Sequence, residues 1–281
     1  MKTWKKIVLG VSLISLFLGG GLVAWGYSQG GLTDLQNQTK SEQDYVKKEV
    51  KDFNKIDIKS SSYNVLIKNG DVDKATLSYY QKTKNPIDTS VKDGQLTIND
   101  NNSELDSTSN KHINFLGLKD LVRLSTLNKE VRNKTIVITL PKKQTIDFLK
   151  VDLATGNLDL SNSTIKQADI NLNVGDLTFT KMIVSNLKAN LDVGSVDSDH
   201  TLFTNSDLSI AMGDYSGDNL IFNGHNKLDV TSGDIEIALK DYTLNVQADS
   251  HSGEVDITNN LKISKDNTLT ITSDLGDITV E

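Results

Sequence analysis

Residues 227–257 read KLDVTSGDIEIALKDYTLNVQADSHSGEVDI. Leu228 and Val230 alternate with polar residues, Ser232-Gly233 turns, Ile235 and Ile237 alternate again, and after a polar link Leu244 and Val246 begin the pattern anew. Side chains two apart share one face of a strand, so the aliphatics point to one side and Asp, Glu, Asn and Thr to the other. Outward from this stretch, its glycines belong to a series, Gly156, Gly175, Gly194, Gly213, Gly233, Gly253 and Gly276, at intervals of 19, 19, 19, 20, 20 and 23 residues. A period near twenty marks stacked coils. The pattern predicts an all-β, single-stranded stacked β-solenoid in which two short strands and two turns make one coil. Equivalent strands then form parallel ladders about 4.8 Å apart, and each glycine stands where the chain folds sharply from one sheet to the next.

Composition suits that architecture. Aromatics make up 6% of the 281 residues while Asp, Asn, Ser and Thr abound, as expected when every coil exposes polar turns and buries only Val, Ile and Leu. There is no cysteine, which excludes a disulfide framework, a cysteine-ligated metal and a lipidated cysteine. Lys2, Lys5 and Lys6 precede the first acid, Asp34, so removing them from the net charge of -7 leaves -10 beyond residue 27. Such a surface repels phosphate backbones and anionic lipid, which argues against nucleic acid as a partner.

From Ile7 to Tyr27 the chain carries no charge (IVLGVSLISLFLGGGLVAWGY), and about 20 apolar residues span a bilayer core. The expectation is a single-pass helix over 7–27. The lysines of the basic stub 1–6 hold the N-terminus in the cytoplasm, and the β domain lies outside the cell membrane. A cleaved signal peptide is the rival reading, with a usually shorter apolar region and, at Ala24-Trp25-Gly26, a poor cleavage site. Residues 28–51 read as a polar tether, and 52–281 as the β domain with an insert at 99–133. Within the insert, Ile113, Leu116, Leu121 and Leu124 fall at helical spacings. They are expected to cover an edge of the domain or to meet a partner.

Ile138-Thr139-Leu140-Pro141, followed by repeats such as Thr231-Ser232-Gly233-Asp234-Ile235-Glu236-Ile237, resembles the bacterial β-strand-repeat envelope proteins called putative adhesins (domain of unknown function 4097). The resemblance covers roughly residues 52–281 and departs at the insert and at Gly194-Ser195, where the family's aspartate is replaced. It implies a stacked β-solenoid on the outer side of a bacterial membrane and brings no catalytic residue. Some members are linked to envelope-stress responses.

The residues after the glycines include Asp176, Asp214, Asp234, Glu254 and Asp277. Stacking aligns them in a column that calcium could bridge, although Asp in a turn is already accounted for by bonds to backbone. His200, His225 and His251 fall at different phases of the coil, and His112 lies in the insert, so a histidine cluster is not expected. The usual P-loop, nucleophile-elbow and zinc-protease signatures are absent from the sequence, and no cofactor is expected. The chain reads as non-enzymatic, binding an envelope protein or a wall or membrane component in envelope sensing or regulation. The alternative is a surface adhesin. Because the sequence stops at Glu281, Ile278–Val280 is expected to form an open edge for a partner strand or for self-association.

Overall fold

The computed structural model describes residues 43–82, 86–100 and 134–281. The span expected over 7–27 and the insert residues Ile113, Leu116, Leu121 and Leu124 lie outside the described residues. Among those described, every regular element is a strand.

One turn of the stack shows the build. Ala168–Val174 runs into Gly175, Leu177–Thr180 follows, and then comes a third short strand, Ile183–Ser185. The central coils therefore have three sides where the repeat predicted two. The polar link read as a plain turn holds a strand of its own, set off at both ends by residues with positive φ, Lys181 (54°) and Asn186 (48°). In each strand alternate residues point inward. Ile170, Leu177, Phe179 and Val184 are fully enclosed, and Phe179, Phe203 and Phe222 follow one another inside at ring separations of 5.3 and 5.8 Å.

Successive coils pair in parallel at the repeat interval. Leu158 is level with Leu177, Val196, Tyr215 and Ile235 in turn. The strands before the glycines form a 10-stranded sheet, and those after them belong to a 15-stranded sheet whose second arm is the third face. Outside the 10-stranded sheet one row reads Asp57, Lys150, Asp169, Lys188, Asp207, Lys227. Opposite charges thus alternate from coil to coil, favouring this register over a slipped one.

Spatial order departs from chain order at both ends. Thr268–Leu275 lies between His225–Ser232 and Asn245–Ser252, and Ile278–Val280 lies between Ile235–Leu239 and Val255–Ile257. The last coil in the chain is therefore slotted beneath the one before it. This overturns the expected open edge at Ile278–Val280, since both flanks of that strand are paired and Ile278 and Val280 are 0% and 1% exposed. The outer edge belongs to Asn245–Ser252 and Val255–Ile257.

The other end repeats the device. Lys55–Ser60 and Asn64–Gly70 sit beneath the Gly156 coil, and outside them lie Gln95–Asn99 and Thr135–Pro141. There, antiparallel strands complete the end: Asp88–Lys92 on Gln95–Asn99, and Thr76–Lys82 on Thr135–Pro141. Gln43–Glu49 pairs beyond Thr76–Lys82, so a strand of the β domain lies inside the segment read as a tether. Its aromatic and apolar residues explain this. Tyr45 lies against Tyr80 at 4.9 Å between ring centres, Val46 packs on the core, and buried Val50 donates its N–H to Ala75 O at 2.8 Å.

Candidate functional site

The glycine corner is the most regular surface of the molecule. A Cβ on Gly175, Gly194, Gly213, Gly233, Gly276 or Gly253 would fall 2.0–2.1 Å from the carbonyl oxygen of the glycine one coil below, in that spatial order. Most of these residues also hold φ between 139° and 150°, a region closed to side-chain-bearing residues. The expected acidic column is present and is engaged in the fold. Asn157 Oδ1 accepts from Asp176 N at 3.0 Å, Asp176 Oδ1 from Ser195 N at 3.0 Å, and Ser195 Oγ from Asp214 N at 3.3 Å. Asp214 Oδ1 then accepts from Asp234 N, Asp234 Oδ1 from Asp277 N, and Asp277 Oδ1 from Glu254 N, at 2.8–2.9 Å. Each side chain thus replaces a backbone acceptor for the coil above it.

Of the histidines, His200, His225 and His251 occupy separate places, as their phase requires. His200 nevertheless joins a group that sequence spacing did not single out. Asp199 and Asp218 are stacked neighbours, and one ligand atom from each lies within 4.8 Å of the others and of His200. His200 Nδ1 lies 2.6 Å from Asp199 Oδ1, and Asn219 Nδ2 donates to Asp218 Oδ2 at 2.8 Å. One imidazole and two carboxylates suit a divalent transition metal. All three are partly or fully exposed, and each has a polar partner in the structure, Asp199 and His200 in one another and Asp218 in Asn219.

The third face carries an outward apolar row, Ile183, Leu202 and Ile221, level with one another in successive strands. Ile183 is 48% exposed. With Lys181, Lys240 and His200 the row lines a shallow groove of about 160 Å³. Each of these aliphatic residues stands eight positions after a repeat glycine, which was the signal available in the sequence.

The outer coil at the open end differs from every coil beneath it. Val246, Ala248 and Ile257 only partly enter the core, Val255 is 38% exposed, and Ile263 in the return loop is 85% exposed. Their counterparts one coil below, Leu269, Ile271, Ile278 and Val280, are enclosed. Below the end, each glycine N–H donates to the coil above, ending with Gly276 N to Ser252 O at 3.2 Å, and so does the second N–H after it, ending with Ile278 N to Glu254 O at 2.8 Å. Gly253 and Val255 are next in both series. Among the described residues no strand pairs with that edge.

A corner-linked stack of parallel coils, with a strand edge at one end that no described strand pairs, defines a β-solenoid. The chain belongs to the Toastrack DUF4097 family, which it matches over residues 53–281. Among solved structures it is similar to a putative cell adhesion protein from Clostridium sporogenes, at 16% identity and a TM-score of 0.38, covering 85% of this chain and 98% of that one. A putative adhesin from Bacteroides fragilis is similar at 16% identity and a TM-score of 0.37, covering 86% and 98%. A third, a putative adhesin from Parabacteroides distasonis, has 14% identity and a TM-score of 0.39, covering 85% and 98%. No curated protein matches the chain.

Proposed function

We propose that the chain is a membrane-anchored, exported, non-enzymatic β-repeat protein whose domain binds a protein or another component of the cell envelope, in envelope sensing or regulation. The observation that carries the binding role is the unequal treatment of the two ends. One end of the stack is covered by antiparallel strands, whereas the other leaves Asn245–Ser252 and Val255–Ile257 with an outer edge that no described strand pairs. The uncharged run Ile7–Tyr27 after three lysines supports anchoring with the domain outside.

About nine strand spacings of 4.8 Å give the stack a height near 43 Å, which favours contacts close to the membrane. A surface adhesin is the alternative class. Fractionation of cells followed by protease treatment separates the two. A membrane-bound chain degraded in wall-stripped cells and protected in intact walled ones is expected, whereas full digestion on intact walled cells overturns the near-membrane role in favour of the adhesin. A chain recovered wholly in the cytosol overturns both.

A further inference from the structure

We infer that the outer edge of Asn245–Ser252 and Val255–Ile257 is a docking site for an extended segment of another protein that carries apolar residues at alternate positions and Lys or Arg between them. The inference rests on the binding role proposed above and gives it an address and a chemistry.

Hydrogen bonding comes first. Gly253 and Val255 are next in two series of N–H groups that, coil after coil, donate to the strand above, and the Glu254 carboxylate is next in the series of side chains that accept from it. A strand laid on this edge meets a template already set by the coils beneath, which is how a sheet edge binds an extended peptide. Apolar burial comes second. Val246, Ala248, Val255 and Ile257 follow the inward register of Leu269, Ile271, Ile278 and Val280 but remain partly uncovered. The opposite end shows what cover such an edge takes. Thr76–Lys82 lies antiparallel on Thr135–Pro141, bringing Leu77 level with Ile138, and Leu77 and Tyr79 are buried. An incoming segment with the same alternation would complete the open end in the same way.

Charge selects the partner. Residues 245–257 contain Asp249, Glu254 and Asp256 and no lysine or arginine. Asp249 continues the outward row of Asp229 and Thr272, and Asp256 that of Glu236 and Thr279. A basic residue in the incoming strand would stand beside Asp249 or Asp256 across the edge, as Lys188 stands beside Asp169 and Asp207 on neighbouring strands lower in the stack. A second copy of this chain fits poorly. Its own covered end is already occupied by antiparallel strands, and open end against open end would set these acids against themselves. Anionic lipid is repelled for the same reason.

The test uses the full-length chain in detergent and a labelled octapeptide alternating Val with Lys, beside a twin with Glu in place of each Lys. The Lys peptide is expected to bind about tenfold more tightly than its twin at low salt, with the difference shrinking as salt rises. Binding should slow amide hydrogen exchange at Gly253 and Val255. Val255→Pro removes one of the two N–H groups at an edge position that tolerates proline and should abolish binding. Asp249→Lys with Asp256→Lys leaves the backbone untouched and should reverse the peptide preference, with melting unchanged in both variants. Exchange already slow at Gly253 and Val255 without peptide, binding that survives Val255→Pro, or a preference unmoved by the double substitution each overturn the inference. So does sedimentation showing a dimer that the Val255→Pro change dissolves. Peptide protection at the third face instead overturns the docking site while leaving the broader binding role intact, and mislocalisation of the chain removes that role separately.

Discussion

At the covered end of the stack Leu77, Ile87, Leu96 and Ile98 are enclosed, while at the open end Val246, Ala248 and Ile257 occupy the same inward positions and stay partly wet. Both ends carry a coil slotted in out of chain order, and both present the edge of a parallel ladder. They diverge in what the chain does next. At the covered end it doubles back through Asp93-Gly94, where both residues have positive φ, to lay Asp88–Lys92 antiparallel on Gln95–Asn99. At the open end it loops through 258–267 and returns beneath. Covering an edge is thus a matter of where one turn sends the chain, and the same coil design yields a sealed end or a receptive one.

The sharpest way to break this comparison is to add one methyl group at two levels of the same ladder. Gly213→Ala places Cβ 2.1 Å from Gly194 O at φ 139°, with coils on both sides to resist relaxation, and should cost about 4 kcal/mol or prevent folding. Gly253→Ala meets Gly276 O at 2.0 Å, but only the outer coil needs to move. There the expected loss is about 1–2 kcal/mol, with faster amide exchange confined to residues 245–257. Equal losses in urea unfolding would mean that the outer coil is as constrained as the middle.

Core truncation gives the next largest contrast. Leu77→Ala at the covered end removes an enclosed side chain and should destabilise by about 3 kcal/mol, whereas Val246→Ala should cost under about 1 kcal/mol. Urea midpoints at constant slope measure both. Between the ends, Lys188→Asp replaces the cation that separates Asp169 from Asp207 with a third carboxylate on adjacent strands. A loss of about 1 kcal/mol that shrinks in high salt is expected from like charges on neighbouring strands.

The smallest effect lies in the covered half. Burial raises the Asp159 carboxyl above the usual aspartate range, with Lys68 opposing the shift. The folded state therefore holds this proton more tightly than the unfolded chain does. Its contribution is present below the usual aspartate range and is lost as pH rises through the raised folded value. Asp159→Asn should match the parent in melting temperature near about pH 3 and melt slightly higher at about pH 7. A gap that narrows with rising pH would contradict the burial.

Much of the fold is legible in the residues, and the candidate site much less so. The glycine pitch and the alternation of Leu228, Val230, Ile235 and Ile237 carry the parallel stack, because a sheet's period of two leaves only one register that buries the aliphatics. The ladder role of Asp176, Asp214, Asp234 and Asp277 is readable from turn chemistry. The third face escapes a reading by period because Ile183–Ser185 is too short to show one. The location of the open edge escapes it because chain order and spatial order differ at that end. Clues to it exist: the interval of 23 before Gly276, and the smaller inward residues Val246 and Ala248 where the neighbouring strand has Leu269 and Ile271. Glu254, the one glutamate in a corner series otherwise made of Asp, Asn and Ser, stands at the coil with no described coil above it.

Local chemistry was enough to set the coil. Glycine's access to positive φ, the reach of Asp to the next N–H and the burial of alternate aliphatics all act within about one repeat, so they are written into each twenty-residue segment. Which coil stands last, and therefore which backbone groups are left to face a partner, depends on how segments far apart in the chain are stacked. Equivalent coils offer nearly equivalent edges, so that choice is made by the sum of long-range pairings and appears only in the assembled stack.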